Sequence, residues 1–227
     1  GYGENALKAF EEMQINGLFP DGITFVCILK ACSSISSLEA GQQICAQIMQ
    51  DELLSKDIAV GNALVDMYAK CGMLTKACLV LSELPLRNVV SWNALIAAYA
   101  QEGHCHKVMN CFEQMQKEGL SPNEVTLLCV LNACGHSGRL DEAQFYYDNM
   151  RRIYGIAPKL EHHTCMVVVF GCAGQFDKVM SVMKTTPCSN DPSVWLTLLC
   201  ACTKWGNVNI GRLAFDQVIQ LDNRLAA

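Results

Sequence analysis

The stretch from Glu11 to Asp21, EEMQINGLFPD, returns as EQMQKEGLSPN from Glu113 to Asn123, an offset of 102 residues. The offset holds elsewhere. Leu29, Ala31 and Cys32 of LKAC return as Leu131, Ala133 and Cys134 of LNAC, and Pro85 returns as Pro187. A shorter offset of 31 residues relates NALVDMYAKCG, from Asn62, to NALIAAYAQEG, from Asn93. Self-similarity at a spacing in the thirties restricts the chain to stacked units, each covering its apolar face with the next, instead of one closed core.

Each unit reads as two helices around a Gly-containing turn. Within Val89 to Asn123, Leu95, Ile96 and Tyr99 recur at helical spacing before Gly103, and Val108, Cys111, Phe112 and Met115 do so after it. Gly119 then accepts the left-handed conformation at a helix end, and Pro122 blocks continuation. The repeated EEMQINGLFPD and EQMQKEGLSPN are therefore second-helix ends. Cut at one phase, the chain divides into 22–57, 58–88, 89–123, 124–159 and 160–190, of 36, 31, 35, 36 and 31 residues, with 1–21 as the tail of a further unit and 191–227 as a last segment. Three successive unequal units fill the period of 102.

Composition narrows the function. Half of the residues are apolar, yet no run approaches the eighteen needed to cross a bilayer, so no membrane association is expected. A net charge of −5 argues against an indiscriminate polyanion binder. The fourteen cysteines include no C-x-x-C pair, which excludes a zinc ribbon. The clusters His104-Cys105-His106 and His162-His163-x-Cys165 place neighbouring side chains in different directions on a helix and do not close on one metal. Reduced, buried thiols and a reducing compartment are expected, with no metal and no cofactor.

The W-x-x-L-G-x-x-Y signature of regular tetratricopeptide arrays is absent. The chain instead resembles plant pentatricopeptide repeat proteins of the PLS subclass, whose P, L and S motifs rotate with these lengths. VVSWNALIAAYAQEGHCHKVMNCFEQMQKEGLSPN looks like a P motif, EVTLLCVLNACGHSGRLDEAQFYYDNMRRIYGIAPK like an L motif and GNALVDMYAKCG like the start of an S motif. The cut then reads as 1–21 P-type tail, 22–57 L, 58–88 S, 89–123 P, 124–159 L and 160–190 S. Residues 191–227, opening DPSVWLTLLCACTKW, are similar to the E motif of organellar RNA editing factors, truncated. The resemblance implies an all-α fold, a right-handed α-solenoid of helix-turn-helix repeats related to the tetratricopeptide superhelix.

It also implies a function. In the family the fifth and last residues of a motif read one base of a single strand, which places base reading at Asn62 with Asn88, Asn93 with Asn123, and Thr164 with Asn190. Asn with Asn would favour a pyrimidine and Thr with Asn an adenine. The L motifs present Val26 with Asp57 and Leu128 with Lys159, and an aliphatic fifth residue cannot hydrogen-bond a base. The expected site is N-Y-Y-N-A in single-stranded organellar RNA, a few nucleotides before an edited cytidine. Singly, each Asn also suits a helix cap or turn; recurrence at one phase favours base reading. Trp92 and Tyr99 read as packing between repeats. In CMVVVFGCAGQFDK, Val168 and Cys172 stand where relatives carry Asp and Arg.

The chain is not expected to be an enzyme. The H-x-E and P-C-x-x-C halves of a cytidine deaminase signature are missing. A DYW-type deaminase would act in trans or from a following segment, small editing-cofactor proteins are further expected partners, and a targeting peptide is expected upstream. The expected location is the mitochondrion, with the chloroplast as alternative, and the expected state is a monomer. The competing readings are a helical-repeat scaffold for proteins, and an organellar RNA factor acting in splicing or stability.

Overall fold

The computed structural model describes residues 2–185 and 190–225; Pro187, the counterpart of Pro85, and the last two residues lie outside them. Among the described residues there are fourteen helices and no strand. They are α1 (Tyr2–Ile15), α2 (Gly22–Ser34), α3 (Leu38–Gln50), α4 (Leu53–Lys56), α5 (Ile58–Lys70), α6 (Leu74–Glu83) and α7 (Val89–Gln101), then α8 (Cys105–Lys117), α9 (Glu124–His136), α10 (Leu140–Tyr154), α11 (Leu160–Cys172), α12 (Phe176–Thr185), α13 (Pro192–Trp205) and α14 (Val208–Leu225). None is long and apolar enough to cross a membrane.

Two units form. One comprises Gly1–Glu102 with Asn110–Ser121, the other Gly103–Met109 with Pro122–Ala227. In the first, α2 packs on its hairpin partner α3 and also on α5, and α5 packs on α6 and α7. In the second, α9 packs on α10 and α11, and α11 on α12 and α13. First helices thus lie beside first helices within each unit.

The sequence explains this layering. First helices are apolar nearly all round: α5 buries Val60, Ala63, Leu64, Val65, Met67, Tyr68 and Ala69, and α11 buries Cys165, Met166, Val167, Val169 and Phe170. A helix with so little polar surface has to be flanked on both sides. Second helices are one-sided, so that α3 buries only Gly41, Ile44 and Ile48 while its Glu39, Gln42 and Gln43 side remains accessible. Each buried Leu, Ile or Phe stabilises the stack by about 1.5–3 kcal/mol relative to exposure. Phe25 and Leu29 anchor the start of the first unit, with Phe10 edge-on to Phe25 at 6.1 Å. Leu127, Leu131 and Phe170 do so in the second.

The turn joining the two helices of a hairpin requires a left-handed residue. Gly72, Gly103, Gly138 and Gly174 fill it with φ between +69° and +74°. In the α2–α3 hairpin the same turn holds Ser36 at φ +53°, a conformation that costs a residue with a Cβ about 1–2 kcal/mol. Ser36→Gly is therefore expected to stabilise the chain by about 1 kcal/mol, read as a higher midpoint in thermal denaturation followed by circular dichroism.

Against the expectation of buried thiols, Cys27, Cys78, Cys172 and Cys200 are exposed, whereas Cys32, Cys105, Cys134, Cys165 and Cys202 are small core groups. Burial pushes Cys32 and Cys129 up to about 11, and Cys134 and Cys165 up to about 12, far from the thiolate that a nucleophile or metal ligand requires. Among the described residues, no three His, Cys, Asp or Glu side chains are grouped to hold a metal ion.

Candidate nucleic-acid interface

A helix leaves its first amide groups unbonded, and a short acceptor side chain just before it satisfies them. In the first unit, Asp21 caps α2 through Thr24 N at 2.8 Å, Asp57 caps α5 through Ala59 N at 2.8 Å, and Asn88 caps α7 through Val90 N at 2.9 Å and Ser91 N at 3.0 Å. The Thr24 hydroxyl and amide hold the Asp21 carboxyl below its ordinary range. In the second unit, Asn123 caps α9 through Thr126 N at 3.0 Å, and Asp191 caps α13 through Ser193 N at 2.8 Å. Asn88 and Asn123 close capping boxes, their own amides donating to Ser91 Oγ and Thr126 Oγ1. Lys159 stands at the same place before α11 without a side-chain cap.

The last unit requires a correction. Counting 31 residues puts Asn190 at its end, but the cap of α13 is Asp191, followed by Pro192 at the first helical position. Proline is favoured there because its missing N–H would be unbonded anyway. Asn190 is exposed and one residue out of step with the other caps, and Asp191 takes its place in the series of caps.

The fifth residues lie on the first helices, five positions after each cap. Val26 and Leu128 are half-buried, Asn93 is buried and Thr164 is half-buried. The Thr164 hydroxyl donates to Leu160 O at 2.9 Å, so its proton is already engaged within α11. At one pair the structure brings the two expected residues together: Asn62 Nδ2 donates to Asn88 Oδ1 at 3.4 Å. Asn88 Oδ1 also receives the cap amides, which leaves the Asn88 Nδ2 donors to point elsewhere. Asn62 Oδ1 is buried with no hydrogen-bond partner, a cost that protein interiors usually avoid. The loop carrying Asn88 is held by its neighbour Arg87, paired at 2.7 Å to Glu118, the residue just after α8, and Glu118 also accepts from Trp92 Nε1 at 2.8 Å. Trp92 is buried and serves packing.

Asn93 belongs to the first unit and Asn123 to the second, so each is placed only by its own surroundings. Asp57 lies against the backbone of Gly22, and Lys159 pairs with Glu124; in both cases the cap residue reaches back to the first residue of the same repeat.

Counting motif positions missed a second set. Ile23, Val90 and Val125, each two residues after a cap, are 75%, 59% and 52% exposed despite being aliphatic. They precede the fifth residue by three positions and share its helix face. A recurring, exposed β-branched residue at one phase was the available signal.

Comparison with known proteins accounts for this arrangement. The pentatricopeptide repeat family description matches residues 87–136, and the single-repeat description matches 62–89 and 125–153. Two pentatricopeptide repeat-containing proteins of Arabidopsis thaliana are 39% and 35% identical over 98% and 96% of this chain, which covers 44% and 40% of their own lengths. A third, whose name carries the word mitochondrial, is 35% identical over 98% of this chain and 36% of its own. The chain thus spans less than half of these relatives. Among solved structures, the maize pentatricopeptide repeat protein PPR10 in complex with an 18-nt psaJ RNA element matches with TM-score 0.78 and 16% identity, over 96% of this chain and 32% of that one. The pentatricopeptide domain of Arabidopsis thaliana protein-only RNase P 1, in complex with tRNA, matches with TM-score 0.57 and 18% identity, over 69% of this chain and 86% of that one. At these identities the likeness shows the fold, an all-α helical-repeat solenoid. The repeated hairpins over residues 62–153 match pentatricopeptide repeats, and nearly the whole chain is similar to pentatricopeptide repeat proteins.

Proposed function

We propose that the chain binds single-stranded RNA in a sequence-specific manner and serves as the specificity part of an organellar C-to-U editing factor, with no catalytic group of its own. The observation that carries the RNA reading is the Asn62–Asn88 contact. With Asn88 Oδ1 occupied by the cap, the pair offers an Nδ2 donor from Asn88 beside the unbonded Oδ1 acceptor of Asn62. One donor next to one acceptor complements the Watson–Crick edge of a pyrimidine such as uracil. A base that draws the Asn62 amide forward gives its orphaned oxygen a partner. Ile23, Val90 and Val125 supply apolar surface against base faces, and PPR10 and protein-only RNase P 1 were both solved with RNA on the same fold.

The repeat types run L, S, P, L, S from residue 22, with an E-like segment after them. Asn62 with Asn88 and Asn93 with Asn123 read pyrimidines, while the aliphatic Val26 and Leu128 leave their positions open. At the last position the cap residue that goes with Thr164 is Asp191, not Asn190. A carboxylate only accepts hydrogen bonds, and guanine is the base whose edge offers two adjacent N–H donors, so the site becomes N-Y-Y-N-G where the Asn190 assignment gave N-Y-Y-N-A. A DYW-type deaminase in trans or on a further segment supplies the chemistry, small editing-cofactor proteins assist, and the mitochondrion is the compartment, as the name of one relative suggests.

Gel shifts with short RNAs test this. The chain is expected to bind N-Y-Y-N-G more tightly than N-Y-Y-N-A and far more tightly than a scrambled RNA. Affinity should fall with salt at a log–log slope of about −0.7 per phosphate contacted. Equal binding to all three at both low and high salt would remove the sequence-reading function.

A further inference from the structure

Lys159 is the exception among the cap residues. Asp57, Asn88, Asn123 and Asp191 each present an oxygen to their helix, whereas a lysine ammonium has three donors and no acceptor. Its positive charge also sits at the positive end of the α11 dipole, where it is unfavourable. The structure relieves the second problem by turning the side chain away: Lys159 Nζ meets Glu124 Oε2 at 2.6 Å. The bond holds the ammonium above its ordinary pKa. His162, 2% exposed, completes the arrangement. Its Nδ1 accepts from Lys159 N at 3.1 Å and its Nε2 bonds Glu124 O at 3.0 Å, so that the first residue of α9 and the residue before α11 are tied by both backbone and side chain.

The equivalent repeat lacks this tie. Its first residue is Gly22, which has no side chain to hold anything, and Asp57 remains at the cap of α5. The repeat 124–159 therefore differs at both places, with an acidic first residue that captures a basic cap residue.

We infer that Glu124 is a specificity-determining residue: it sequesters Lys159, so that this repeat spans a nucleotide without contacting it. The inference rests on the RNA-reading function above. Leu128, the fifth residue, offers no hydrogen bond, so the Lys159 ammonium is the one charged group of this repeat's fifth-and-last pair, and Glu124 neutralises it. Glu124 and Lys159 side chains are 45% and 57% exposed, so the pair is screened by solvent and its release changes affinity modestly, by about two- to fivefold.

The test uses the full chain with Glu124→Gln, Lys159→Met and both together. Against an N-Y-Y-N-G RNA, Glu124→Gln is expected to tighten binding by about two- to fivefold and steepen the salt slope by about 0.7, the value for one added phosphate. Lys159→Met alone should leave binding unchanged and, in the double variant, should abolish the gain. Unchanged affinity and slope for Glu124→Gln, or a gain that survives Lys159→Met, would overturn the latch while leaving the RNA reading intact. A parent chain that binds no RNA would defeat the RNA reading and this inference together. Independently of RNA, Lys159 should be acylated faster by an amine-reactive ester in the Glu124→Gln chain, read by mass spectrometry; equal rates would show that no latch exists.

Discussion

Gly135→Ala is expected to destabilise the chain by about 1–2 kcal/mol, although alanine is the better helix former. Gly135 lies on α9 where α11 crosses, and a Cβ there would run into Cγ2 of Val169. Replacing Gly by Ala within a helix normally stabilises by about 1 kcal/mol, and an extra carbon in a filled contact costs about 1–3 kcal/mol. The second effect wins here because Val169 is 5% exposed and β-branched, with a single comfortable χ1 on a helix, so it cannot swing aside. Gly61 offers a contrast: its added Cβ would meet the end of the Leu84 side chain, which bends more easily, and a smaller loss is expected there. Urea denaturation of Gly135→Ala, Val169→Ala and the pair should reveal coupling, with the double variant losing less than the sum of the singles. Additive losses would place the strain elsewhere.

Asn88 carries two functions, and two substitutions separate them. Asn88→Ala removes the cap of α7, costing about 1 kcal/mol, and removes the donor offered to a base. Asn88→Asp keeps an oxygen for Val90 N and Ser91 N and adds a negative charge at the helix N-terminus, so it should fold at least as stably as the parent. It replaces the Nδ2 donor by a second acceptor, however. Discrimination for a pyrimidine at that position should fall by about 1–3 kcal/mol, roughly 5- to 150-fold, without loss of stability. The measurements are a thermal melt and affinities for RNAs that differ only at the base read by Asn62 and Asn88. A stable Asn88→Asp chain with unchanged base preference would leave Asn88 as a cap and nothing more.

Much of this was legible in the residues. The recurrence of EEMQINGLFPD located the second-helix ends, and Gly17 and Gly119 do adopt positive φ there. The pairing of Asn62 with Asn88 was expected only through the resemblance to the family, whose fifth and last residues act together, and the two side chains do meet at 3.4 Å. The count failed by one residue at Asn190. The Asp-Pro dipeptide at 191–192 carries its own helix-start signal, and capping chemistry, not unit length, decides where α13 begins. The single turn of α4 was also missed. It depends on Glu52 adopting φ +56°, for which LLSK and its surroundings hold no glycine signal. The burial of Asn93 against the half-burial of Asn62, two residues at the same phase in near-identical stretches, depends on neighbouring hairpins and was not readable from either stretch alone.

The most direct test of base reading is selection from a randomised RNA pool with the parent chain and with Asn93→Thr. The account predicts that the parent enriches two adjacent pyrimidines followed, after one open position, by a guanine. It further predicts that Asn93→Thr shifts only the second of those pyrimidines towards a purine. Enrichment of no motif by a folded parent chain, or an identical motif from both proteins, would contradict it.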